Sequence, residues 1–300
     1  MNQPKLIVIQ GPTASGKTGL AVALAKELNS VVISADSRQF YKEIAIGTAK
    51  PTQEEMHGVP HYFIDSHSLH DEVSASNFAK EASQLINTQL INQPFVVIVG
   101  GSGLFIQALC EGLDDIPHDR ELQEKITEEW RTHGIEVLLA ELKSKDEVYF
   151  NEIDQQNPLR VIRAIEAMRL SGKTMTELRM GILPPKFDNV HYFTLDIPRA
   201  ELYDKINSRV DAMILAGLEV EARRVYPLRH LKSLQTVGYR ELFDFIEGKI
   251  TREIAIELIK QHSRNYAKRQ ITWFKGHHPG IYLNGDVENM IGIIKSEIAN

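Results

Sequence analysis

Residues 6–18 read LIVIQGPTASGKT, in which four apolar residues lead into the pattern G-x-x-x-x-G-K-T. A helix-forming run, Leu20 to Leu28, follows this pattern directly. A phosphate-binding loop (P-loop) requires this order of strand, glycine-rich loop and helix, because backbone N–H groups and the positive helix end together form an anion site. We therefore predict that the protein binds a diphosphate or a triphosphate.

Two side chains at the end of the pattern carry further chemistry. Lys17 brings a positive charge to phosphate oxygens, and the Thr18 hydroxyl is a ligand for Mg²⁺. The sequence thus predicts a Mg²⁺-assisted phosphate site. The residues predicted to form it are Gly11, Pro12, Thr13, Ala14, Ser15, Gly16, Lys17 and Thr18.

Length, composition and charge restrict the class of protein. A chain of 300 residues with 43% hydrophobic and 25% charged residues is typical of a soluble globular protein with one large domain and a smaller attached one. The net charge of −6 predicts that any nucleic-acid site is a local patch. The single cysteine, Cys110, excludes an internal disulfide. Since no run of 18 uninterrupted apolar residues occurs, we expect a cytoplasmic protein that does not span a membrane.

Two further strand-like runs end in residues suited to a ligand site. Ser30 to Ala35 is followed by Asp36, and Phe95 to Val99 is followed by Gly100 to Gly103. Because ligands bind at the carboxyl ends of parallel strands, Asp36 is expected at the P-loop edge, although a turn or helix-cap role is equally open. Glycines replace the acid that a nucleotide hydrolase carries at the end of the second run, which disfavours an ordinary ATPase and leaves a kinase open.

The predicted secondary structure changes from mixed strands and helices to helices in the middle third of the chain. Strand signals disappear after Asp114, and a capped helix runs from Asn157-Pro158 to Gly172, before a strand-like run returns at Val190 to Asp196. We predict an α/β fold with a P-loop NTPase-like parallel sheet, flanked by helices and interrupted by a mostly helical insertion. Its parts are the first core segment at 1–113, the insertion at 114–187 and the second core segment at 188–300.

The last long predicted helix, Thr251 to Lys275, is strongly basic. Lys260, Arg264 and Lys268 are spaced four apart and share one face, and Arg269 follows. In an acidic chain such a patch fits the footprint of a nucleic-acid backbone. A solvated helix face explains the spacing equally well.

Seven short motifs together carry a family resemblance. In chain order they are the P-loop, Asp36-Ser37-Arg38-Gln39, Gly47-Thr48-Ala49-Lys50-Pro51, Gly100-Gly101-Ser102-Gly103-Leu104, Asn157-Pro158-Leu159-Arg160 with Arg163, Val237-Gly238-Tyr239-Arg240-Glu241 and Ala267-Lys268-Arg269-Gln270-Ile271-Thr272-Trp273. The chain resembles the bacterial tRNA dimethylallyltransferases, also called tRNA isopentenyltransferases, over nearly its whole length. Many enzymes share the P-loop, whereas the other motifs are specific.

The resemblance implies a reaction and its partners. A dimethylallyl group passes from dimethylallyl diphosphate to N6 of the adenosine 3′ to the anticodon, in tRNAs that read codons beginning with U, and diphosphate leaves. The P-loop then holds the diphosphate of the donor, with Mg²⁺ as cofactor, in a monomeric enzyme that grips the anticodon stem-loop.

The resemblance also assigns roles to residues. Asp36 accepts the N6 proton, while Lys17 and Arg223 stabilise the leaving diphosphate. Ser102 stands where threonine is commoner, and Leu159 stands where glutamine often occurs, so a polar contact from Leu159 is not expected. The residues expected at the tRNA are Asp36, Ser37, Arg38, Gln39, Ser102, Leu159, Arg160, Val161, Ile162, Arg163, Lys268 and Arg269.

Three other functions share some of these features. A P-loop small-molecule kinase accounts for the loop but leaves the basic helix unexplained. A transferase acting on free AMP or ATP needs neither the helical insertion nor the basic stripe. A non-catalytic RNA-binding protein switched by a nucleotide would lose little on substitution Asp36→Asn, whereas a transferase would lose catalysis.

Overall fold

The computed structural model describes residues 3–114, 116–179, 186–277 and 279–299, which form two units. The core unit comprises Met1–Glu111 and Pro185–Asn300, and the helical unit comprises Gly112–Pro184. The bounds of the helical unit are close to those predicted for the insertion, 114–187. Residues 115 and 180–185 of the predicted stretch lie outside the described part.

A parallel sheet organises the core unit. Six strands lie in the order β3-β2-β4-β1-β5-β6, which confirms the predicted fold class. The central strand β1 is hydrogen-bonded to β4 and β5, and its residues 6–9 have no exposed surface, as expected for an uninterrupted apolar strand covered on both faces. The strands are β1 (Lys5–Gln10), β2 (Val32–Ser34), β3 (His61–Tyr62), β4 (Phe95–Gly100), β5 (Val190–Leu195) and β6 (Ile281–Leu283).

Fourteen α-helices and two short 3-10 helices, Tyr226–Leu228 and Lys232–Leu234, complete the described chain. The α-helices are α1 (Lys17–Glu27), α2 (Gln53–Met56), α3 (Ala75–Thr88), α4 (Gly103–Cys110), α5 (Arg120–His133), α6 (Ile135–Lys145), α7 (Glu147–Glu152), α8 (Pro158–Ser171), α9 (Met175–Leu178), α10 (Arg199–Leu215), α11 (Leu218–Val225), α12 (Tyr239–Ile246), α13 (Arg252–Gly276) and α14 (Val287–Ile298). No helix in the described part is both long and apolar enough to cross a membrane.

The sheet topology gathers the ends of three strands at one edge. Register pairs place Gln10 beside Gly100 and Ser34 beside Val99, so the P-loop and the segment after β2 both flank the glycines that follow β4. A Cβ on Gly100 would lie 2.3 Å from the Ala35 carbonyl oxygen. Only glycine permits this close approach, which explains why the strand ends in glycine.

Helices α11, α12 and α13 form a second packed cluster of the core unit. Tyr239 is fully buried at its centre, against Ala222, Leu242 and Ile259. The basic helix α13 begins where the sequence predicts, because the Thr251 hydroxyl accepts a hydrogen bond from the Ile254 N–H and so caps the first turn. This cluster carries α10 and α13 to the P-loop edge of the sheet.

The helical unit has its own core. Helices α5, α6 and α8 meet around the fully buried side chains of Ile126, Leu138, Leu142 and Ile165. The carboxylate of Glu166 is completely buried there and is bonded to His118, the Asp119 N–H, Gln123 and Arg163. These donors compensate the cost of burying the carboxylate, and removal of any one of them would leave part of that cost uncompensated.

Candidate active site

The P-loop adopts the backbone conformation that binds anions. Ala14 and Gly16 have positive φ angles of 62° and 87°, which turn successive N–H groups toward one side. The Ser15 hydroxyl is buried and has no hydrogen-bond partner among the described residues. A buried hydroxyl without a partner inside such a loop is the group that a bound phosphate would satisfy.

Lys17 lies at the start of α1 and points into the site. Its Nζ donates a hydrogen bond to the Pro12 carbonyl at 3.0 Å. Burial lowers the pKa of Lys17 to about 8; the negative charge of Asp36 acts to raise this pKa, and the positive charge of Arg209 acts to lower it. The amine is therefore a partly desolvated cation that a bound anion would hold in its charged form.

A second cation, Arg209 of α10, also faces the P-loop. Its guanidinium donates a hydrogen bond to the Thr13 hydroxyl at 3.1 Å. Burial lowers the pKa of Arg209, while the charges of Asp36 and Glu55 act to raise it. Arginine remains protonated even so, and two partly buried cations beside one anion loop form a strongly electropositive pocket.

Asp36 lies at the same edge, directly after β2. Its Oδ1 accepts a hydrogen bond from the Arg38 N–H at 3.1 Å, so Asp36 does shape the local turn. It also lines the same cavity as Lys17 and Arg209. The turn role and the site role, which sequence left open as alternatives, therefore coexist in one side chain.

Both charged and apolar side chains line this cavity. Its volume is about 320 Å³. The polar and charged residues that line it include Thr13, Lys17, Asp36 and Arg209. The apolar side chains that line it come from α10, α11 and α13 and are Ile206, Val210, Met213, Leu218 and Ile259. Such a cavity suits a ligand with a phosphate group at one end and a short hydrocarbon at the other.

A smaller cavity of about 40 Å³ adjoins the P-loop. The Thr18 hydroxyl and the Asp36 carboxylate both line it. Oxygen donors of this kind fit Mg²⁺, which proteins commonly bind through one or two side chains together with substrate phosphates. The described residues contain no cluster of three or more histidine, cysteine, aspartate or glutamate side chains that would hold a metal alone.

Tyr266 is a cavity residue that the sequence analysis missed. Burial raises its pKa to about 12, with Asp36 adding to the effect and Arg38, Ser102 and Arg269 opposing it. The residue remains 38% exposed, and the Arg269 guanidinium lies 5.7 Å from its ring centre. The sequence signal that could have found it is a tyrosine three residues before Arg269 on the basic helix.

A profile of the IPP transferases matches residues 39–277. The chain belongs to the IPP transferase family. Curated relatives agree: the tRNA dimethylallyltransferase of Cytophaga hutchinsonii is 48% identical over 282 residues, covering 92% of this chain and 93% of the relative. The tRNA dimethylallyltransferase 2 of Parabacteroides distasonis is 45% identical over 271 residues, covering 90% and 91%.

Solved IPP transferase structures share the fold. The full-length tRNA isopentenylpyrophosphate transferase from Bacillus halodurans has a TM-score of 0.73 and 37% identity, covering 99% of this chain and 96% of that one. A eukaryotic dimethylallyltransferase acting on tRNA has a TM-score of 0.75 and 27% identity, covering 90% and 70%. The resemblance seen in the motifs is thereby confirmed.

The structure does not bring Arg223 to the cavity of this IPP transferase. Arg223 of α11 does not line the cavity; its half-exposed side chain pairs with Glu219 at 3.0 Å and lies over the Phe245 ring. Arg209 occupies the place at the P-loop that was assigned to Arg223. The turn after α10 rotates α11 so that Arg223 faces the surface, a tertiary arrangement that motif spacing does not show.

The residues of the Asp36–Gln39 motif have different surroundings, some at the cavity and one in the interior. The Ser37 N–H donates to the Ser102 hydroxyl at 3.2 Å, and Ser37 and Arg38 line the cavity. Gln39 is buried instead; its oxygen accepts from Ser34 at 3.2 Å and its amide donates to the Ala49 carbonyl at 3.2 Å. The predicted tRNA contact of Gln39 is therefore corrected to a structural bond that joins two loops.

The predicted contacts in the helical unit also separate. Leu159 is 72% exposed, and Arg160 is exposed, at the start of α8. Val161 and Ile162 are buried in the core of the helical unit, so their side chains are not available to RNA, which corrects those two assignments. Arg163 donates to the Ile116 and Pro117 carbonyls and to Glu166, which commits most of its guanidinium to the protein.

The basic stripe of α13 is partly neutralised. Lys260 pairs with Asp211 at 2.8 Å, and Arg264 donates to the Asn207 side chain at 2.6 Å. Lys268 and Arg269 remain exposed. The free positive charge of this helix is thus concentrated toward its carboxyl end.

Gln270 fastens this end of α13 to the site. Its oxygen accepts from the Thr13 N–H at 2.9 Å, and its amide donates to the Gly101 carbonyl at 2.8 Å. One buried side chain therefore links the P-loop, the loop after β4 and the basic helix.

Proposed function

We propose that this IPP transferase moves a dimethylallyl group from dimethylallyl diphosphate to N6 of the adenosine 3′ to the anticodon, in tRNAs that read codons beginning with U. The observation that carries the proposal is a cavity lined together by the P-loop, by the partly buried cations Lys17 and Arg209, by Asp36 and by apolar side chains. The names of its relatives, tRNA dimethylallyltransferases, support the same reaction.

The donor fits this cavity in one orientation. Its diphosphate lies on the P-loop N–H groups, with Lys17 and Arg209 beside it, and its hydrocarbon contacts apolar residues such as Val210 and Met213. When the allylic C–O bond breaks, negative charge builds on the leaving diphosphate. Backbone N–H groups and partly buried cations already in place stabilise that charge without having to reorganise.

Asp36 acts as the base for the adenine N6 amine of the acceptor. The lone pair of an exocyclic adenine amine is delocalised into the ring, so the amine gains from a base that orients it and removes its proton. The new C–N6 bond forms as the C–O bond breaks, the N6 proton passes to the Asp36 carboxylate, and diphosphate departs. Asp36 then returns the proton to solvent.

We include Mg²⁺ in the proposal as a cofactor. The Thr18 hydroxyl would hold it together with diphosphate oxygens. When bound, the ion neutralises charge on the leaving diphosphate. The residues of the chain supply the remaining steps.

The RNA side of the proposal rests on exposed charge and an exposed ring. A base in an anticodon loop must leave its stack to reach a buried donor. Tyr266 offers an aromatic face at the cavity, and Lys268 and Arg269 offer charge to the phosphates of the stem-loop. In the helical unit, Leu159 and Arg160 are proposed as further contacts.

The proposal also covers the setting of the reaction. We propose that the enzyme acts as a monomer. Since tRNA is a cytoplasmic substrate, we propose that the enzyme acts in the cytoplasm.

A prenyl-transfer assay tests the proposal. The purified protein is incubated with Mg²⁺, radiolabelled dimethylallyl diphosphate and either unmodified tRNA or AMP. The proposal predicts label in tRNA that digests to N6-dimethylallyladenosine and is lost in the variant Lys17→Ala. Label in AMP instead would show that the acceptor is a free nucleotide and not tRNA. ATP turnover without transfer of label would favour a kinase.

A further inference from the structure

Glu221 of α11 is a buried carboxylate with an unusual set of partners. Its Oε2 accepts from the N–H groups of Ala45 at 2.8 Å and Ile46 at 3.0 Å. Its Oε1 accepts from the Gly47 N–H at 2.9 Å and the Tyr239 hydroxyl at 2.6 Å. Three successive backbone N–H groups that converge on one anion form a nest, and here the anion belongs to a distant part of the same chain.

The carboxylate is ionised although it is only 6% exposed. Burial acts to raise the pKa of Glu221, but the hydrogen bonds from Tyr239 and from the three backbone N–H groups outweigh it and lower the pKa. The nearest cation is Arg224, 3.9 Å from Oε2, and its guanidinium donates instead to the Glu43 carbonyl. Neutral donors therefore carry most of the stabilisation.

The last residue of the nest, Gly47, is also the first residue of the loop 47–51, which forms one wall of the reaction cavity. Gly47 and Thr48 line the cavity that holds Lys17, Asp36 and Arg209. The remainder of the loop lines the adjoining groove, together with P-loop residues from 14 to 19. One short loop thus faces both the phosphate end and the interior of the proposed donor site.

The fit between this loop and Tyr239 is close. A Cβ on Gly47 would lie 2.5 Å from the Tyr239 hydroxyl oxygen and 2.6 Å from the adjacent ring carbon. The glycine therefore lets the ring lie against the backbone, and the hydroxyl then reaches Glu221. The contact with the Tyr239 ring and the hydrogen bond to Glu221 therefore both fix the backbone at Gly47.

The far side of the loop is held independently. The buried Gln39 amide donates to the Ala49 carbonyl, and the Lys50 amine donates to the Tyr41 carbonyl at 2.6 Å. Without Glu221, these bonds would still anchor residues 49 and 50. The freedom gained would therefore be concentrated at residues 45–47, of which Gly47 lines the cavity.

We propose that Glu221 is a positioning residue for the donor substrate, because its carboxylate fixes the backbone of residues 45–47 and thereby sets the wall that dimethylallyl diphosphate contacts. This inference deepens the proposed function and rests on it. A carboxylate is required because it accepts at both oxygens, whereas the amide of glutamine would turn an N–H₂ group toward backbone N–H groups.

The test compares Glu221→Gln with the matched control Glu219→Gln. Glu219 lies on the same helix but is paired with Arg223 and Arg252 at the surface. We expect Glu221→Gln to raise the KM for dimethylallyl diphosphate about tenfold, with the KM for tRNA unchanged and the control like wild type. Calorimetric titration with dimethylallyl diphosphate and Mg²⁺, without RNA, should show the same loss of affinity.

Tyr239→Phe provides a second variant that keeps the buried ring. It removes one of the four hydrogen bonds, so the rise in donor KM should be smaller, about threefold. A general structural role would instead lower the active fraction and the thermal midpoint and leave the donor KM unchanged in both variants. That result, or equal rises in the KM values for donor and tRNA, would overturn the inference.

The design separates the inference from the proposed function. Wild-type transfer to tRNA tests the function alone, while donor titration measures the wall of the site without any acceptor. A wild-type protein that binds the donor but labels no RNA contradicts the function, and unchanged donor affinity in Glu221→Gln contradicts the inference.

Discussion

At the residue scale, two arginines on neighbouring helices differ in what surrounds their guanidinium groups. Arg209 is partly buried against Thr13 of the P-loop, and Arg223 is bound to Glu219 at the surface. A cation helps a leaving diphosphate only when it lies beside it in a desolvated site. Substitution of each arginine in turn therefore compares the kinetic effect of a cation at the site with that of a cation at the surface.

We expect Arg209→Gln to lower kcat/KM for the donor by roughly 100-fold or more, since it removes a positioned donor at the developing charge. Arg223→Gln should stay within about twofold of wild type, as typical for a surface pair. Steady-state kinetics with tRNA at saturation measures both. A larger loss in Arg223→Gln than in Arg209→Gln would return the role to Arg223.

Lys17 predicts a pH dependence. Burial lowers its pKa from 10.5 to about 8 in the free enzyme, so the amine is charged below that pH and loses its charge above it. We expect kcat/KM for the donor to fall as pH rises through about 8, because kcat/KM reports the free enzyme. The variant Lys17→Arg keeps its charge and should lack this alkaline limb. A wild-type profile that stays flat up to pH 10 would contradict the assignment.

Asp36 carries the acceptor chemistry at this scale. Asp36→Asn keeps the size of the side chain but removes the proton acceptor, so we expect kcat to fall by about 100-fold or more. Donor affinity should be retained, because the amide adds no negative charge near the diphosphate. Rapid-quench single-turnover measurement checks this, and an unchanged chemical step would assign the proton to another group.

At the element scale, α13 presents charge that differs along its length. Lys260 is held by Asp211, whereas Lys268 and Arg269 are exposed near the cavity. Gln270 binds the P-loop from the same turn of helix. RNA gripped by this end of α13 would therefore lie beside the reacting groups.

The double variant Lys268→Ala, Arg269→Ala should weaken tRNA binding and reduce its salt dependence, since each lost phosphate contact lowers the slope by about 0.7 to 0.9. The control Lys260→Ala removes a charge that is already paired and should leave the slope unchanged. Filter binding at several salt concentrations measures both slopes. Equal slopes for all three proteins would place the RNA elsewhere.

Elements were predictable from sequence where one local pattern decides the structure. The run at Leu6, the P-loop and α1 each depend on neighbours in the chain, so their identities followed from periodicity and glycine spacing. Asp36 could be placed at the P-loop edge because parallel strands end together.

The parts that sequence did not predict depend on tertiary contacts. Arg209 was one of several arginines on predicted helices, and only the packing of α10 brings it to Thr13. Gln39 looks like a surface polar residue until loop carbonyls are seen to satisfy it. Glu221 reaches a nest formed by residues 45–47, a partnership that neither segment reveals alone.

At the scale of the whole molecule, the chain combines a core unit built on a P-loop sheet with a separate helical unit. The core unit by itself contains the phosphate loop, both partly buried cations, Asp36 and the apolar side chains of the cavity. The central claim is that this arrangement couples diphosphate release to alkylation of an adenine in tRNA. Diphosphate is then a leaving group and not the product of nucleotide hydrolysis.

The stoichiometry of the reaction tests this claim most directly. Diphosphate release and N6-dimethylallyladenosine in digested tRNA are measured in the same reaction, with and without tRNA. We predict equal amounts of both products and no diphosphate release when tRNA is omitted. Diphosphate released without alkylated adenosine, or ATP turnover in place of prenyl transfer, would contradict the account.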